Sequence, residues 1–418
     1  MIKSFECYNF RNVYCEPVEF ERINIMIGPN NAGKSNFIKS LSFPANMVSN
    51  PKNESTGFLT ELKRNGWHTA ANRRIKDLAF KMVWKFELEK GRPVAYTLHA
   101  NVGKRRDDNY ILEESLDSAE VRAGASAPYN YFRCHTPRLG YGEFSTAGMS
   151  SVKNKRLAAE IDKTESVLLQ MDNLFFSNKE LFSTPFVRDK VRQVLESMRM
   201  YFRGFYSYSC TAFDLSAIRE LQDEQSDGSK LNKTGSNFVN VFYDMINTDP
   251  NFKQRYLRML RRLMSNCEDI QVVNAGGKIW MELTMDGYSF PLSEVSDGTI
   301  HLLVLLLMIN MSEKSGISLL AIDEPEMNLH PAWQKLLANE IQRCRSFKQC
   351  FISTHSPDFL DEFTDEFLAG NVAVFVFDPS SRKPIRKLNR KELISDLSNW
   401  TLGDLYRIGD PVIGGWPQ

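Results

Sequence analysis

Eight residues, Gly28-Pro29-Asn30-Asn31-Ala32-Gly33-Lys34-Ser35, constrain this chain more than any others. They follow an apolar run, Ile23–Ile27, that reads as a buried strand, and they lead into a helical pattern from about Gly33 to Leu41. Glycines in such a turn let backbone N–H groups face inward, and the helix N-terminus adds partial positive charge. The strand–turn–helix context points to a cradle for phosphates. Asn30, Asn31, Ala32, Gly33, Lys34, Ser35 and Asn36 line it. Lys34 is placed to reach the β- and γ-phosphates, and the Ser35 hydroxyl to bind Mg²⁺. A nucleoside triphosphate is the ligand this segment selects.

The chain has 418 residues, enough for two to three domains or one elaborated domain. A hydrophobic share of 42% and a charged share of 25% place it with globular proteins that bury a sizeable core. The net charge of +1 favours no acidic or basic partner. Seven scattered cysteines, never spaced as a CxxC pair, fit buried thiols in a reducing cytoplasm, not a disulfide frame or a zinc site. The N-terminus lacks a signal-peptide apolar core, and the longest apolar run, Leu302–Ile309, is too short for a bilayer. A soluble, cytoplasmic protein without membrane partners is expected.

Short strands at Ile2–Tyr8 and Pro17–Phe20 precede the loop. From Ser42 to Asp77, Pro44, Pro51, Gly57 and Gly66 punctuate a polar stretch, which reads as a loop-rich excursion. Leu78, Phe80, Met82, Trp84, Phe86 and Leu88 then alternate with polar residues, and Val94, Tyr96, Leu98 and Ala100 repeat the pattern, predicting a hairpin. Gly103–Ser151 shows no period. Ser151–Phe202 turns helical in two pieces, one carrying Leu157, Ile161 and Met171, the other Val187 to Met198, with Pro185 between them. Gly204–Ser209 reads as a strand, Gln222–Ser236 as a linker, and Phe238–Ile246 and Phe252–Met264 as helices. A meander follows through Ile270–Asn274 and Lys278–Met285, turning at Asp286-Gly287. Helices at about Gly298–Met311 and Ala332–Cys344 alternate with strands Ser318–Ile322, Gln349–Ser353 and Val372–Phe377, so an α/β fold with a mainly parallel core sheet is predicted. The C-terminal end, through Gly414-Gly415-Trp416-Pro417, carries no chemical signal.

Leu319-Leu320-Ala321-Ile322 ends in Asp323 and Glu324. Phosphoryl transfer to water needs a Mg²⁺ anchor and a group that orients or deprotonates the water. Asp323 suits the metal, and Glu324 suits the water. His355 follows the next strand and is suited to hydrogen-bond a γ-phosphate.

Three segments stand in one order: Gly28–Ser35, then Ser296-Asp297-Gly298-Thr299 before a helix, then Asp323-Glu324-Pro325-Glu326 running into Leu329-His330-Pro331. Ser353-Thr354-His355-Ser356-Pro357 completes the set. With these motifs the chain resembles ATP-binding-cassette (ABC) ATPases of the SMC/RecF type, and within them the short, coil-poor heads close to the OLD (overcoming-lysogenization-defect) ATPases. The resemblance covers about residues 1–45 and 236–378 well and the intervening region poorly.

It implies an ABC head with an antiparallel β subdomain and a helical insertion. The N-terminal part of the head would span 1–102, the insertion 103–235 and the C-terminal part 236–418. The implied cofactors are ATP and Mg²⁺. Ser296 and Gly298 match the signature motif, which caps the γ-phosphate bound by the opposite protomer. The segment here reads Ser-Asp-Gly-Thr, not the transporter-type Ser-Gly-Gly-Gln. Asn328 falls in a loop that touches the partner in such heads. The family's Mg²⁺-reaching glutamine is not assigned to a residue here. Arg11 reads as a base or phosphate contact, or equally as a surface residue.

The implied activity is ATP hydrolysis by head-to-head dimers, or a higher oligomer, with Lys34, Glu324 and His355 as catalytic residues. OLD nucleases add a TOPRIM metal site of Glu and Asp-x-Asp, a pattern that Asp361, Asp365 and Asp378 do not form. The chain is therefore expected not to cut DNA itself. Relatives imply a partner effector, a nuclease or toxin, in antiphage modules of the Septu and retron-associated kinds, docking on about Gly103–Ser236. The alternatives are a RecF/SMC-like repair or genome-maintenance ATPase and a non-catalytic, ATP-dependent scaffold. DNA is a candidate partner through Arg255, Arg258, Arg261 and Arg262, through Lys104-Arg105-Arg106, and through Arg382, Lys383, Arg386 and Lys387; solvated faces balanced by acids are the competing reading.

Overall fold

β1 (Ile2–Phe10) and β2 (Val13–Glu19) precede β3 (Ile23–Ile27), whose five residues are all buried. The computed structural model describes residues 1–48, 57–72, 78–88, 92–135, 143–145, 161–170, 185–311 and 316–415. They divide into two compact units. One comprises Met1–Glu21, Asn30–Phe205 and Phe375–Lys387; the other comprises Arg22–Pro29, Tyr206–Val374 and Leu388–Gln418.

The first unit is built on a seven-stranded antiparallel sheet. To β1 and β2 it adds β4 (Ala79–Phe86), β5 (Val94–Asn101), β6 (Tyr110–Ser118), β7 (Asn130–His135) and β8 (Glu143–Ser145), in the order β2-β1-β4-β5-β6-β7-β8. The predicted hairpin is β4–β5, paired from Ala79↔Asn101 to Phe86↔Val94. Three strands lie where no period was legible. The cause is visible in β6, where the consecutive Glu114 and Ser115, on opposite faces of the strand, are both buried at 0% and 2% exposure and break the apolar alternation.

The helix after the phosphate segment corrects a second expectation. It runs Lys34–Val48, straight through Pro44, and a further helix spans Phe58–Arg64. Pro44 offers no N–H to the preceding turn, yet Phe43, Pro44 and Ala45 are all buried. Phe43 packs edge-on against Phe10, Phe58 and Phe80 at ring separations of 5.8, 6.4 and 5.6 Å. Tertiary packing here overrides a local helix breaker. Helix Pro185–Arg203 completes the unit, and Pro185 opens it, as a proline in a first turn can. Of the earlier helical piece, residues 167–170 are helical and Ile161 is not; Leu157 and Met171 lie outside the described residues, as do Trp416 and Pro417.

The second unit holds a sheet in the order β16-β3-β15-β14-β9, formed by β9 (Phe205–Ser209), β14 (Leu319–Asp323), β15 (Cys350–Ser353) and β16 (Val372–Phe377) around β3. β3, β15 and β16 are buried at every residue, the pattern of strands covered on both faces. β14 and β3 flank β15 in parallel, with Asp323 opposite Ser353 and Ser353 opposite Met26. All three strands therefore end at one edge. The predicted meander is a smaller antiparallel sheet of β10 (Gln222–Asp223), β11 (Cys267–Ala275), β12 (Lys278–Met285) and β13 (Tyr288–Pro291). Helices Phe238–Thr248, Phe252–Leu263, Asp297–Ile309 and Pro331–Arg343 fall where the periodicity placed them.

Candidate functional site

In the second unit the parallel strands deliver three groups to one edge. Asp323 ends β14, and its carboxylate accepts from the Ser353 hydroxyl. Glu324 takes a left-handed backbone, φ +57°, rare for a residue with a side chain. Its amide donates to the Ser353 carbonyl at 3.0 Å, which fixes the turn so that the carboxylate faces the next loop. There His355 Nε2 lies 3.7 Å from Glu324 Oε1. Thr354 donates its amide to the Met26 carbonyl at 3.0 Å, so β3 braces the His355 loop from the other side.

Gly28, two residues beyond Met26, leaves this same edge, and its backbone hydrogen-bonds Tyr406 from the helix Leu402–Ile408. Glu326 completes the group. Its Oε1 accepts the His355 amide at 2.6 Å, and its Oε2 is enclosed with no hydrogen-bond partner among the described residues. Burial raises the Glu326 pKa, partly offset by the His355 amide. In the sequence Glu326 stands within the Asp323–Glu326 motif with no role attached to it, and Tyr406 carries no signal at all.

The signature segment lies in the same unit. Ser296 caps the helix Asp297–Ile309, its hydroxyl accepting the Thr299 amide at 3.2 Å, and Arg219 bonds Asp297 at 2.6 Å. Gly298 is packed so closely that a Cβ there would lie 2.5 Å from the Asn328 carbonyl oxygen. Asn328, itself at φ +59°, also meets His301 Nε2 at 3.4 Å. The signature helix and the loop after Asp323-Glu324 thus form one packed junction.

In the first unit the remainder of the phosphate segment is held by side chains from the turn after β1. Asn12 donates to the Asn31 carbonyl at 3.0 Å and accepts from Asn36 Nδ2 at 2.8 Å. Arg11 bridges Asn36 Oδ1 at 2.9 Å and the Asn65 carbonyl at 2.8 Å, so it is a brace of this segment and not a bare surface residue. Gly33, at φ +105°, gives its carbonyl to the Phe37 amide at 2.8 Å and starts the helix. A left-handed backbone with the Asn12 side chain 3.1 Å from any Cβ leaves room for glycine alone. Lys34 is only 5% exposed, Ala32 is buried, Ser35 is half-buried, and Asn30 and Asn31 are exposed.

These residues fit a magnesium nucleotide. The segment offers a helix N-terminus and a lysine, the features that suit anions. No cluster of three or more His, Cys, Asp or Glu side chains among the described residues could hold an ion alone. Mg²⁺ is bound through few protein ligands plus phosphate oxygens and water, and the Asp323 carboxylate in the second unit and the Ser35 hydroxyl in the first are each, taken singly, oxygen donors of the kind it accepts.

Part of the basic clusters is paired with acids. Arg255 pairs with Asp249 at 2.8 Å, Arg262 with Glu340 at 2.5 Å, Lys383 with Glu16 at 2.8 Å and Lys387 with Glu21 at 3.1 Å. Among the described residues, no helix is long and apolar enough to cross a membrane, and the seven cysteines are free thiols.

The element and strand order are those of the fold of an SMC head domain. The chain is similar to a solved SMC head bound to the C-winged helix domain of ScpA: 12% identity, 94% of this chain and 99% of that chain covered, TM-score 0.51. A second similar structure is an SMC head domain from Thermotoga maritima, with 13% identity, 92% and 97% coverage, and TM-score 0.42. Residues 158–361, just under half of the chain, match a family described as "AAA domain, putative AbiEii toxin, Type IV TA system". No curated protein matches.

Proposed function

We propose that the chain is an ATPase whose ATP-bound form pairs head to head with a second copy. The observation that carries this reading is the shared edge in the second unit, where Asp323, Glu324, His355 and the start of the phosphate segment at Gly28 emerge from adjacent strands. Ligands of α/β sheets bind outside the carboxyl ends of strands, and the match of residues 158–361 to an AAA domain supports the same class.

In this reading Asn30 to Asn36 cradle the phosphates, with Lys34 on the β- and γ-oxygens. Ser35 and Asp323 would hold Mg²⁺, which supplies charge neutralisation on the phosphates when bound. Glu324 orients the attacking water and accepts its proton, and His355 donates to the γ-phosphate. Ser296 and Gly298 would cap a nucleotide held by the second copy, so that ATP joins two heads and hydrolysis parts them. An SMC head solved with a ScpA domain supports a further protein partner. The partner we favour is an effector, a nuclease or toxin, in an antiphage module, consistent with the toxin–antitoxin description of the matched family.

The test is ATP turnover by the purified chain. Phosphate release that is Mg²⁺-dependent and lost in Lys34→Ala supports the reading, and turnover unchanged by that substitution removes it.

A further inference from the structure

Glu326 lies one residue outside the Asp323-Glu324-Pro325 run, and three observations converge on it. Its Oε1 accepts the backbone amide of His355 at 2.6 Å, a short, charge-assisted bond. Its Oε2 is fully enclosed and unpartnered among the described residues, an arrangement that costs stability and persists where the surroundings enforce it. Tyr406, 3% exposed, hydrogen-bonds the Gly28 backbone and lies within electrostatic reach of the same carboxyl. The group therefore touches the His355 loop directly and stands behind the first glycine of the phosphate segment.

We infer that Glu326 is a positioning residue for the proposed hydrolysis, holding the His355 backbone so that the imidazole stays beside Glu324. Glu326 itself has no need to meet the nucleotide. The 3.7 Å between His355 Nε2 and Glu324 Oε1 depends on where the loop at Thr354–His355 sits. That loop is anchored by the Thr354 amide on Met26, by the Ser356 hydroxyl on Gln334 and, at His355 itself, by the amide on Glu326, which the Thr354 side chain also bonds. Removing the Glu326 carboxyl loosens the loop at His355 while leaving the parallel strand pairing in place.

The inference rests on the ATPase reading, and the test separates the two. In the full chain, Glu326→Ala and Glu326→Gln are compared with wild type for ATP turnover and for the His355 imidazole resonances, identified by their absence in His355→Asn. Glu326→Ala is expected to lower kcat about tenfold or more, with KM for ATP within about twofold, the pattern of an interaction used in the transition state. It should also shift the His355 resonances. Glu326→Gln keeps an oxygen acceptor for the His355 amide and should restore most of kcat and the wild-type resonances. Unmoved resonances and unchanged kcat in Glu326→Ala would overturn the inference. So would a Glu326→Gln chain as inactive as Glu324→Gln, because Glu326 would then react itself. If Glu326→Ala does not fold, Glu326→Leu, which fills the space without an acceptor, takes its place with the same expected loss of kcat and the same shift of the His355 resonances. Should wild type hydrolyse no ATP, the ATPase reading fails, while the resonances still decide the positioning role.

Discussion

Glu324 Oε1 stands 3.7 Å from His355 Nε2, across the gap between two parallel strands whose register places Asp323 beside Ser353. The contact joins a residue in a left-handed turn, φ +57°, to a loop anchored on both sides. Backbone conformations of this kind persist where the surrounding structure over-determines them and cluster at functional sites. The geometry is therefore set by the sheet before any ligand arrives.

Lys34→Ala should weaken ATP binding about 100-fold, the scale of losing two charge-assisted hydrogen bonds. Isothermal titration with ATP and Mg²⁺ checks it. Circular dichroism should stay at wild type, because alanine suits the first turn of the helix Lys34–Val48.

Gly298→Ala should disturb the junction between the signature helix and the Asn328 loop. A Cβ 2.5 Å from the Asn328 carbonyl oxygen forces a backbone shift, costing about 1–3 kcal/mol. Urea denaturation measures that cost, and turnover should fall in the same variant.

Phe37→Ala should be among the more damaging core substitutions. Phe37 is fully buried and meets Phe5, Phe20 and Phe377 edge-on at 5.5, 6.2 and 5.4 Å. Truncation of such a ring costs about 3–5 kcal/mol, read as a lowered denaturation midpoint.

Glu114 predicts a pH dependence of stability. Burial raises its pKa to about 7, against the opposing pull of the Val167 amide and the Ser166 and Tyr96 hydroxyls. The folded state thus holds a proton that the unfolded chain releases near 4.5. This contribution is fully present below the unfolded value and is lost as pH rises through the folded one. Denaturation midpoints from pH 5 to 8 should fall with rising pH in wild type and flatten over that window in Glu114→Gln.

The core sheet of the second unit was legible because β3, β14, β15 and β16 are continuous apolar runs, a pattern that survives without tertiary knowledge. The strand-end pair Asp323-Glu324 and the Ser353–Pro357 segment stood out for the same reason. What stayed hidden depends on contacts from far along the chain. Glu114 is buried because Ser166, Val167 and Tyr96 satisfy its carboxyl group, so β6 lacked its alternation. Pro44 continues a helix because its neighbour Phe43 is held among Phe10, Phe58 and Phe80. Tyr406 reads as an ordinary core tyrosine until the fold brings it to Gly28, and Glu326 acquires a role only when the β15 loop meets it.

In the function proposed here Glu324 completes a hydrolytic site in an ATP-joined pair of heads. Its most direct test is the solution mass of Glu324→Gln with and without ATP and Mg²⁺, by size-exclusion chromatography with light scattering. Glu324→Gln should bind ATP, hydrolyse it about 100-fold or more slowly than wild type, and double its mass when ATP is present. Wild-type turnover by this variant, with a mass indifferent to ATP, would contradict it.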